Sequence, residues 1–194
     1  MCETLYFDVD GVLLDFNILF TRFWNNGLKE NLWKGKPISD NPTTWSFGFH
    51  KDTDDMTELK RAMNIFHHTH NVLPLMHPDI VNVLTKLKSK YTIELVSSYP
   101  NEQKRLDDLL CHEIPYDKLT CKVDNKLNHI QNCERNGSVV VAIFEDGPHH
   151  LEKFLPHYAG KIWAPNHWNY LNNFKQDPRI RFYNDPNEWI TALI

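Results

Sequence analysis

Residues 6–16 read YFDVDGVLLDF: an apolar run ending in three aspartates, Asp8, Asp10 and Asp15. The segment TLYFDV at 4–9 predicts a short buried strand. In an extended chain alternate side chains share a face, so Asp8 and Asp10 point the same way while Val9 points into the sheet. Gly11 then lets the chain turn sharply without a Cβ clash. Two carboxylates held this close repel each other, and burying them is costly unless something positive sits between them. A strand-ending turn with solvated aspartates is the competing reading, and these residues alone leave both open.

Working outward, SVVVAIFE at 138–145 is the most apolar strand, and its β-branched run suits a central parallel position covered on both faces. YTIELVS at 91–97 predicts a further strand, with weaker ones in KIWA, 161–164, and IRFYN, 180–184. Helices are predicted over 78–90, where Ile80, Leu84 and Leu87 are helically spaced, and over 101–111 and 124–135. A last helix is predicted over 186–194, with Asp185 as N-cap and Pro186 at the first helical position. The alternation predicts an α/β fold, a parallel sheet flanked by helices. Residues 16–77 are the exception, with helical patterns at 17–30 and 54–70, the aromatic loop NPTTWSFGFH and no sheet strand. They read as a small helical cap inserted after the first strand, leaving 1–15 and 78–194 as the core. Ligands of open parallel sheets sit beyond the carboxyl ends of the strands, where Asp8, Ser97 and the pair Glu145-Asp146 all fall.

The composition supports one domain with room for a small insertion: 194 residues, 41% of them hydrophobic. A net charge of −4 argues against general binding to nucleic acid or membrane surfaces. The four cysteines, Cys2, Cys111, Cys121 and Cys133, form no CxxC pair and read as free thiols of a reducing cytoplasm. No signal peptide is apparent, and no apolar run reaches the roughly 18 residues of a membrane helix.

In FEDGPHH, 144–150, a second acidic pair follows the most apolar strand. Neighbours on a strand point apart, so one of Glu145 and Asp146 would bind an ion directly and the other through water. Oxygen ligands with retained waters suit Mg²⁺. In LVSSYP, 95–100, Ser97, Ser98 and the following N–H groups could hold phosphate oxygens, or form a helix cap. Lys126 opens a predicted helix, where it opposes the dipole; Lys122 and Lys104 compete for any phosphate-binding role. His67, His68 and His70 read as solvated rather than metal ligands, and His149 and His150 as helix-start residues. Phe20, Phe23 and Trp24 read as core of the insertion, whereas Trp45 and Phe47, in a loop with alternating polar residues, are candidates for stacking on a base.

Taken in order, DVDGVLLDF, SSYP, NK and EDGP resemble the four motifs of the haloacid dehalogenase (HAD) superfamily of phosphotransferases. Within it the chain is similar to the 5′(3′)-deoxyribonucleotidase group, whose motifs read DMDGVLADF, TSP, DK and D-D-x-P. NHWNYL and EWITAL extend the likeness to the C-terminus. Ser97 replaces a threonine, Glu145 an aspartate, and Tyr99 lengthens the loop after the second motif. The resemblance implies a Rossmann-like HAD core and a Mg²⁺-dependent phosphomonoesterase acting on nucleoside monophosphates. Asp8 would be the nucleophile and Asp10 the general acid and base. Mg²⁺ would be held by Asp8, the Asp10 carbonyl and Asp146, with Glu145 acting through water. Ser97, Ser98 and Lys126 would hold the phosphoryl group. The partner implied is a small phosphate monoester, a nucleotide first, with a homodimer left open and no membrane or nucleic-acid polymer expected. A phosphatase for a sugar phosphate and a catalytically silent binding domain are the alternatives.

Overall fold

The computed structural model describes residues 2–45 and 54–194. Among them the elements run β1 (Cys2–Phe7), α1 (Phe16–Lys29), α2 (Asp54–Thr69), α3 (Ile80–Lys88), β2 (Thr92–Val96), α4 (Glu102–Cys111), β3 (Lys118–Thr120), α5 (Lys126–Arg135), β4 (Ser138–Phe144), α6 (Pro148–Tyr158), β5 (Ile162–Pro165), a 3-10 helix (Asn169–Phe174), β6 (Ile180–Tyr183) and α7 (Asn187–Leu193). The strands form one parallel sheet in the order β3-β2-β1-β4-β5-β6. This is the expected α/β architecture. Strand order reverses between β1 and β4, and the crevice beyond their carboxyl ends is where such sheets bind ligands.

Both faces of the sheet are covered. Leu5 and Phe7 join one core cluster and Tyr6 the other, the period-two signature of a strand buried on both sides. Phe7 stacks on Phe144 at 4.1 Å between centroids, and Trp189 of α7 leans on Phe144 at 4.7 Å. Truncating such buried rings costs about 3–5 kcal/mol, so this trio anchors the two site-bearing strands to each other. A buried carboxylate interrupts β2: Glu94 accepts from Lys118 Nζ at 2.8 Å and His129 Nε2 at 2.7 Å. Both partners meet Oε1, while Cys133 Sγ lies 3.9 Å from Oε2. β3 and the 3-10 helix are too short to produce a periodic sequence signal.

Among the described residues of 16–77 the regular elements are the helices α1 and α2, with one isolated bridge from Leu75 to Leu14. Asp15 Oδ1 caps α1 by accepting from Ile18 N at 3.0 Å. Phe20 and Trp24 are fully buried and Phe23 packs beside them, as the helical spacing predicts. Their cluster runs on without a break into the sheet face formed by Leu5, Phe7 and Phe144. Phe47 lies outside the described residues. At the C-terminus Pro186 occupies the cap position itself and α7 begins at Asn187, whose N–H Asp185 Oδ1 accepts at 2.8 Å. All four cysteines are free thiols. No described helix is long and apolar enough to cross a membrane.

Candidate active site

Asp8 leaves the end of β1 with its N–H still on the sheet, donating to Phe144 O at 2.8 Å. Its Oδ1 accepts from Val9 N at 2.7 Å and its Oδ2 faces Lys126 Nζ at 2.6 Å. Lys126 also meets Glu145 Oε2 at 2.8 Å. Position 126 is the first residue of α5, so this ammonium stands against the helix dipole, and the carboxylates explain why. Lys122 is exposed and Lys104 turns to Asp108, so Lys126 is the lysine at this site. Asn125 takes over the capping of α5, accepting from Asn128 N at 3.1 Å.

Asp146 completes the group. Its Oδ2 accepts from Tyr170 OH at 2.5 Å, and its Oδ1 is buried with no hydrogen-bond partner. Oxygens of Asp8, Glu145 and Asp146 come within 4.8 Å of one another. Three buried carboxylates thus share one ammonium. Burial and the neighbouring Glu145 raise Asp8 above the ordinary carboxylate range, against Lys126. Burial, Asp8 and Glu145 hold Asp146 well above it too. Burial alone would lower Lys126, but Asp8 and Glu145 keep it raised. With all three carboxylates ionised, the cluster is two positive charges short. An orphaned buried oxygen in an all-oxygen donor set fits a hard divalent cation such as Mg²⁺.

Gly11 is required here twice over. Its φ of +77° is left-handed, and a Cβ would lie 1.9 Å from Asp146 Oδ2. The Gly11 carbonyl accepts from Trp168 Nε1 at 2.9 Å, so the NHW segment buttresses the turn that carries the aspartates. Asn41, in the stretch between α1 and α2, holds the same segment, its Nδ2 donating to His167 O at 2.7 Å.

Asp10 faces the same cavity as Asp8, which has a volume of about 340 Å³. It does not share Lys126. Both its oxygens accept from Arg105 Nη2, at 2.6 and 2.7 Å. Burial raises Asp10 and Arg105 opposes that rise. Ser98 lines the cavity and donates Oγ–H to Val123 O at 2.8 Å. Ser97 is fully buried; its Oγ accepts from Tyr99 N at 3.0 Å, leaving the hydroxyl proton to donate. Glu145 has Lys126 on one oxygen and Gly147 N at 2.9 Å on the other.

The far wall of the cavity is largely aromatic. Trp45, 45% exposed, meets Tyr170 edge-on at 5.2 Å, and Phe16, His67 and Tyr99 also face the space. Two histidines depart from the solvated reading. His70 is buried, with Nε2 on Asp108 Oδ2 at 3.1 Å, and His67 is half-buried at the cavity wall. The return of the chain from α2 presses both against Tyr99 and α4, contacts a local pattern does not contain. His68 is exposed, and His149 and His150 sit in the first turn of α6. Neither Tyr170 nor Arg105 stands out as a site residue in the sequence. The signal for Arg105 was its face of α4: Arg105, Asp108 and Leu109 are the buried residues, spaced i, i+3, i+4.

No protein-family model matches the chain, and no curated protein matches it. Solved structures do. A haloacid dehalogenase-like family hydrolase from Streptococcus pneumoniae superposes with a TM-score of 0.70 at 14% identity, covering 100% of this chain and 99% of that one. A predicted phosphoglycolate phosphatase from Haemophilus somnus gives 0.68 at 15% identity over 100% and 98% of the two chains. A protein named as a candidate β-phosphoglucomutase from Thermotoga maritima gives 0.64 at 20% identity over 99% and 98%. The fold is therefore the Rossmann-like α/β fold of haloacid dehalogenase-type hydrolases, along the whole chain.

Proposed function

We propose that the protein is a Mg²⁺-dependent phosphomonoesterase that hydrolyses nucleoside monophosphates through an aspartyl-phosphate, with residues 16–77 serving as its cap. The observation that carries the reaction class is the division of the two carboxylates. Asp8 sits against Lys126 beside the acidic cluster, while Asp10 opens to the same cavity on its own cation, Arg105. One carboxylate is thus available to attack phosphorus and a second to manage the proton of the leaving oxygen.

In this mechanism an Asp8 oxygen attacks phosphorus and the leaving alkoxide takes a proton from Asp10. Asp10 then accepts a proton from the water that cleaves the aspartyl-phosphate. Lys126 and Ser97, with Ser98 at the rim, hold the phosphoryl oxygens. Asp8, the Asp10 carbonyl and Asp146 are the residues that would hold Mg²⁺, with Glu145 acting through water. A bound divalent cation supplies charge neutralisation for the approach of a phosphate dianion to carboxylates.

The nucleotide assignment rests on the cavity wall. Among the described lining residues Lys126 is the one lysine or arginine, and Asp8 and Glu145 already engage it. A leaving group with its own charge, such as glycolate, finds no further cation there. A neutral sugar bearing a planar base finds Phe16, Trp45, Tyr99 and Tyr170. The test is a panel of nucleoside monophosphates, sugar phosphates and phosphoglycolate assayed with Mg²⁺ or with EDTA. Relative kcat/KM should favour nucleotides by about tenfold or more, the size of effect that pocket contacts give. Preference for a sugar phosphate or phosphoglycolate refutes the nucleotide assignment. No Mg²⁺-dependent turnover of any ester leaves the silent binding domain.

A further inference from the structure

Arg105 lies on α4, outside the four sequence motifs, and is fully buried. Its Nη2 reaches both oxygens of Asp10, at 2.6 and 2.7 Å. Its Nη1 donates to Asp108 Oδ2 at 3.3 Å, and its guanidinium lies 4.0 Å over the Tyr99 ring. Asp108 is itself fixed, by His70 Nε2 at 3.1 Å and Leu73 N at 3.2 Å. The Arg105 side chain is 0% exposed and that of Asp10 25%. The ion pair is therefore closed on the protein side and open on the cavity side. A buried ion pair contributes little net stability, so stability alone is a weak reason for an arginine here.

We propose that Arg105 is a positioning residue that holds the Asp10 carboxyl at the cavity mouth, aimed at the leaving-group oxygen and apart from the Asp8–Lys126 pair. The inference rests on the phosphomonoesterase reading and adds to it how the proton donor is kept in place. In the first step an Asp8 oxygen bonds to phosphorus, the ester P–O bond breaks, and the departing oxygen takes the proton from Asp10. Asp10 is left as a carboxylate facing Arg105. In the second step water attacks phosphorus, its proton passes to Asp10, and the bond from phosphorus to the Asp8 oxygen breaks. A carboxyl free to swing about its side-chain torsions would meet neither oxygen reliably, and such misplacement is costly in rate.

The experiment exploits the leaving group. An alkoxide needs a proton to depart, and dinitrophenolate does not. Arg105→Lys keeps the charge but loses the planar fork and the stacking on Tyr99. It should lower kcat/KM for an alkyl phosphate about 100-fold, in the range of a lost general acid. The burst of dinitrophenolate from 2,4-dinitrophenyl phosphate should change by less than about twofold, the scatter of independent sites. In an Asp10→Asn background the same substitution should add no more than that. Equal losses for both leaving groups, or losses that multiply in the double variant, overturn the proposal. Should Arg105→Lys fail to fold by circular dichroism, Asp108→Asn loosens the same anchor. It should give a smaller loss still confined to the alkyl ester, and a loss independent of leaving group overturns the proposal. A wild-type enzyme inactive on every ester overturns the phosphatase reading and this inference together; an active one with a flat Arg105 response overturns the inference alone.

Discussion

Replacing Lys126 by methionine removes the single ammonium from a site with three buried carboxylates. Methionine is close to lysine in length and unbranched, so packing is largely retained. Lys126 Nζ lies 2.6 Å from Asp8 and 2.8 Å from Glu145. At an effective dielectric constant of about 20, each contact carries roughly 6 kcal/mol of gross attraction. Desolvation of the ions cancels most of that, and breaking one side of a buried pair costs about 3–5 kcal/mol net. For a chain of this size each kcal/mol corresponds to about 2–4 °C in Tm, so the variant should melt roughly 6–20 °C below the parent in EDTA. Mg²⁺ should recover part of the loss, because it binds the folded cluster and supplies positive charge to the same oxygens. Hydrolysis of p-nitrophenyl phosphate should fall by about 10²–10³-fold even with Mg²⁺, the effect of losing one electrostatic contact to the transition state. The measurement is thermal unfolding of both proteins in EDTA and in Mg²⁺, alongside steady-state kinetics. A variant that melts within about 2 °C of the parent in EDTA and keeps its turnover refutes the assignment of Lys126 as the charge balance of the site.

Asp8→Asn should abolish turnover of p-nitrophenyl phosphate while leaving the far-ultraviolet circular dichroism unchanged; retained phosphatase activity contradicts the nucleophile. Gly11→Ala forces a Cβ into Asp146 at a positive φ, with about 1–2 kcal/mol of backbone strain. The Mg²⁺ concentration for half-maximal activity should rise at least about tenfold, that is by about 1.4 kcal/mol of binding energy, and an unchanged Mg²⁺ titration defeats the reading. Burial, together with Lys126 and His149, holds His150 down at about 3 in the folded protein. The unfolded chain, with a histidine near 6.5, takes up the proton first as pH falls. Stability should therefore be full above about pH 6.5 and decline below it, by up to about 1.4 kcal/mol per pH unit from this group. His150→Gln should flatten that slope in urea titrations at pH 4–7, and an identical slope in the variant sinks the argument.

Some features were legible in the chain because they are local. The apolar runs at 4–9, 91–97 and 138–145 hold most of β1, β2 and β4, since a strand buried on both faces is apolar along its length, although β1 ends at Phe7, before Asp8 and Val9. Gly11 was readable as a forced turn. The acidic ends of β1 and β4 were readable as neighbours, because strand ends in a parallel sheet converge on one rim. Phe20 and Trp24 were readable as core from their helical spacing. Lys126 drew notice as a cation at the wrong end of a helix, although Lys122 and Lys104 remained rivals until the fold placed it against Asp8.

Other features exist only in three dimensions. Asp10 meets Arg105 across 95 positions of chain, and Tyr170 reaches Asp146 from the 3-10 helix. His70 is buried with its Nε2 on Asp108, 38 residues away. The amino-acid sequence by itself determined which segments become strands and helices and which carboxylates stand at the rim. Those outcomes follow from side-chain periodicity and backbone stereochemistry, which act over a few residues. Tertiary structure decided which cation answers each carboxylate. That choice depends on distances of a few ångströms between groups far apart in the chain, and no local spacing encodes them.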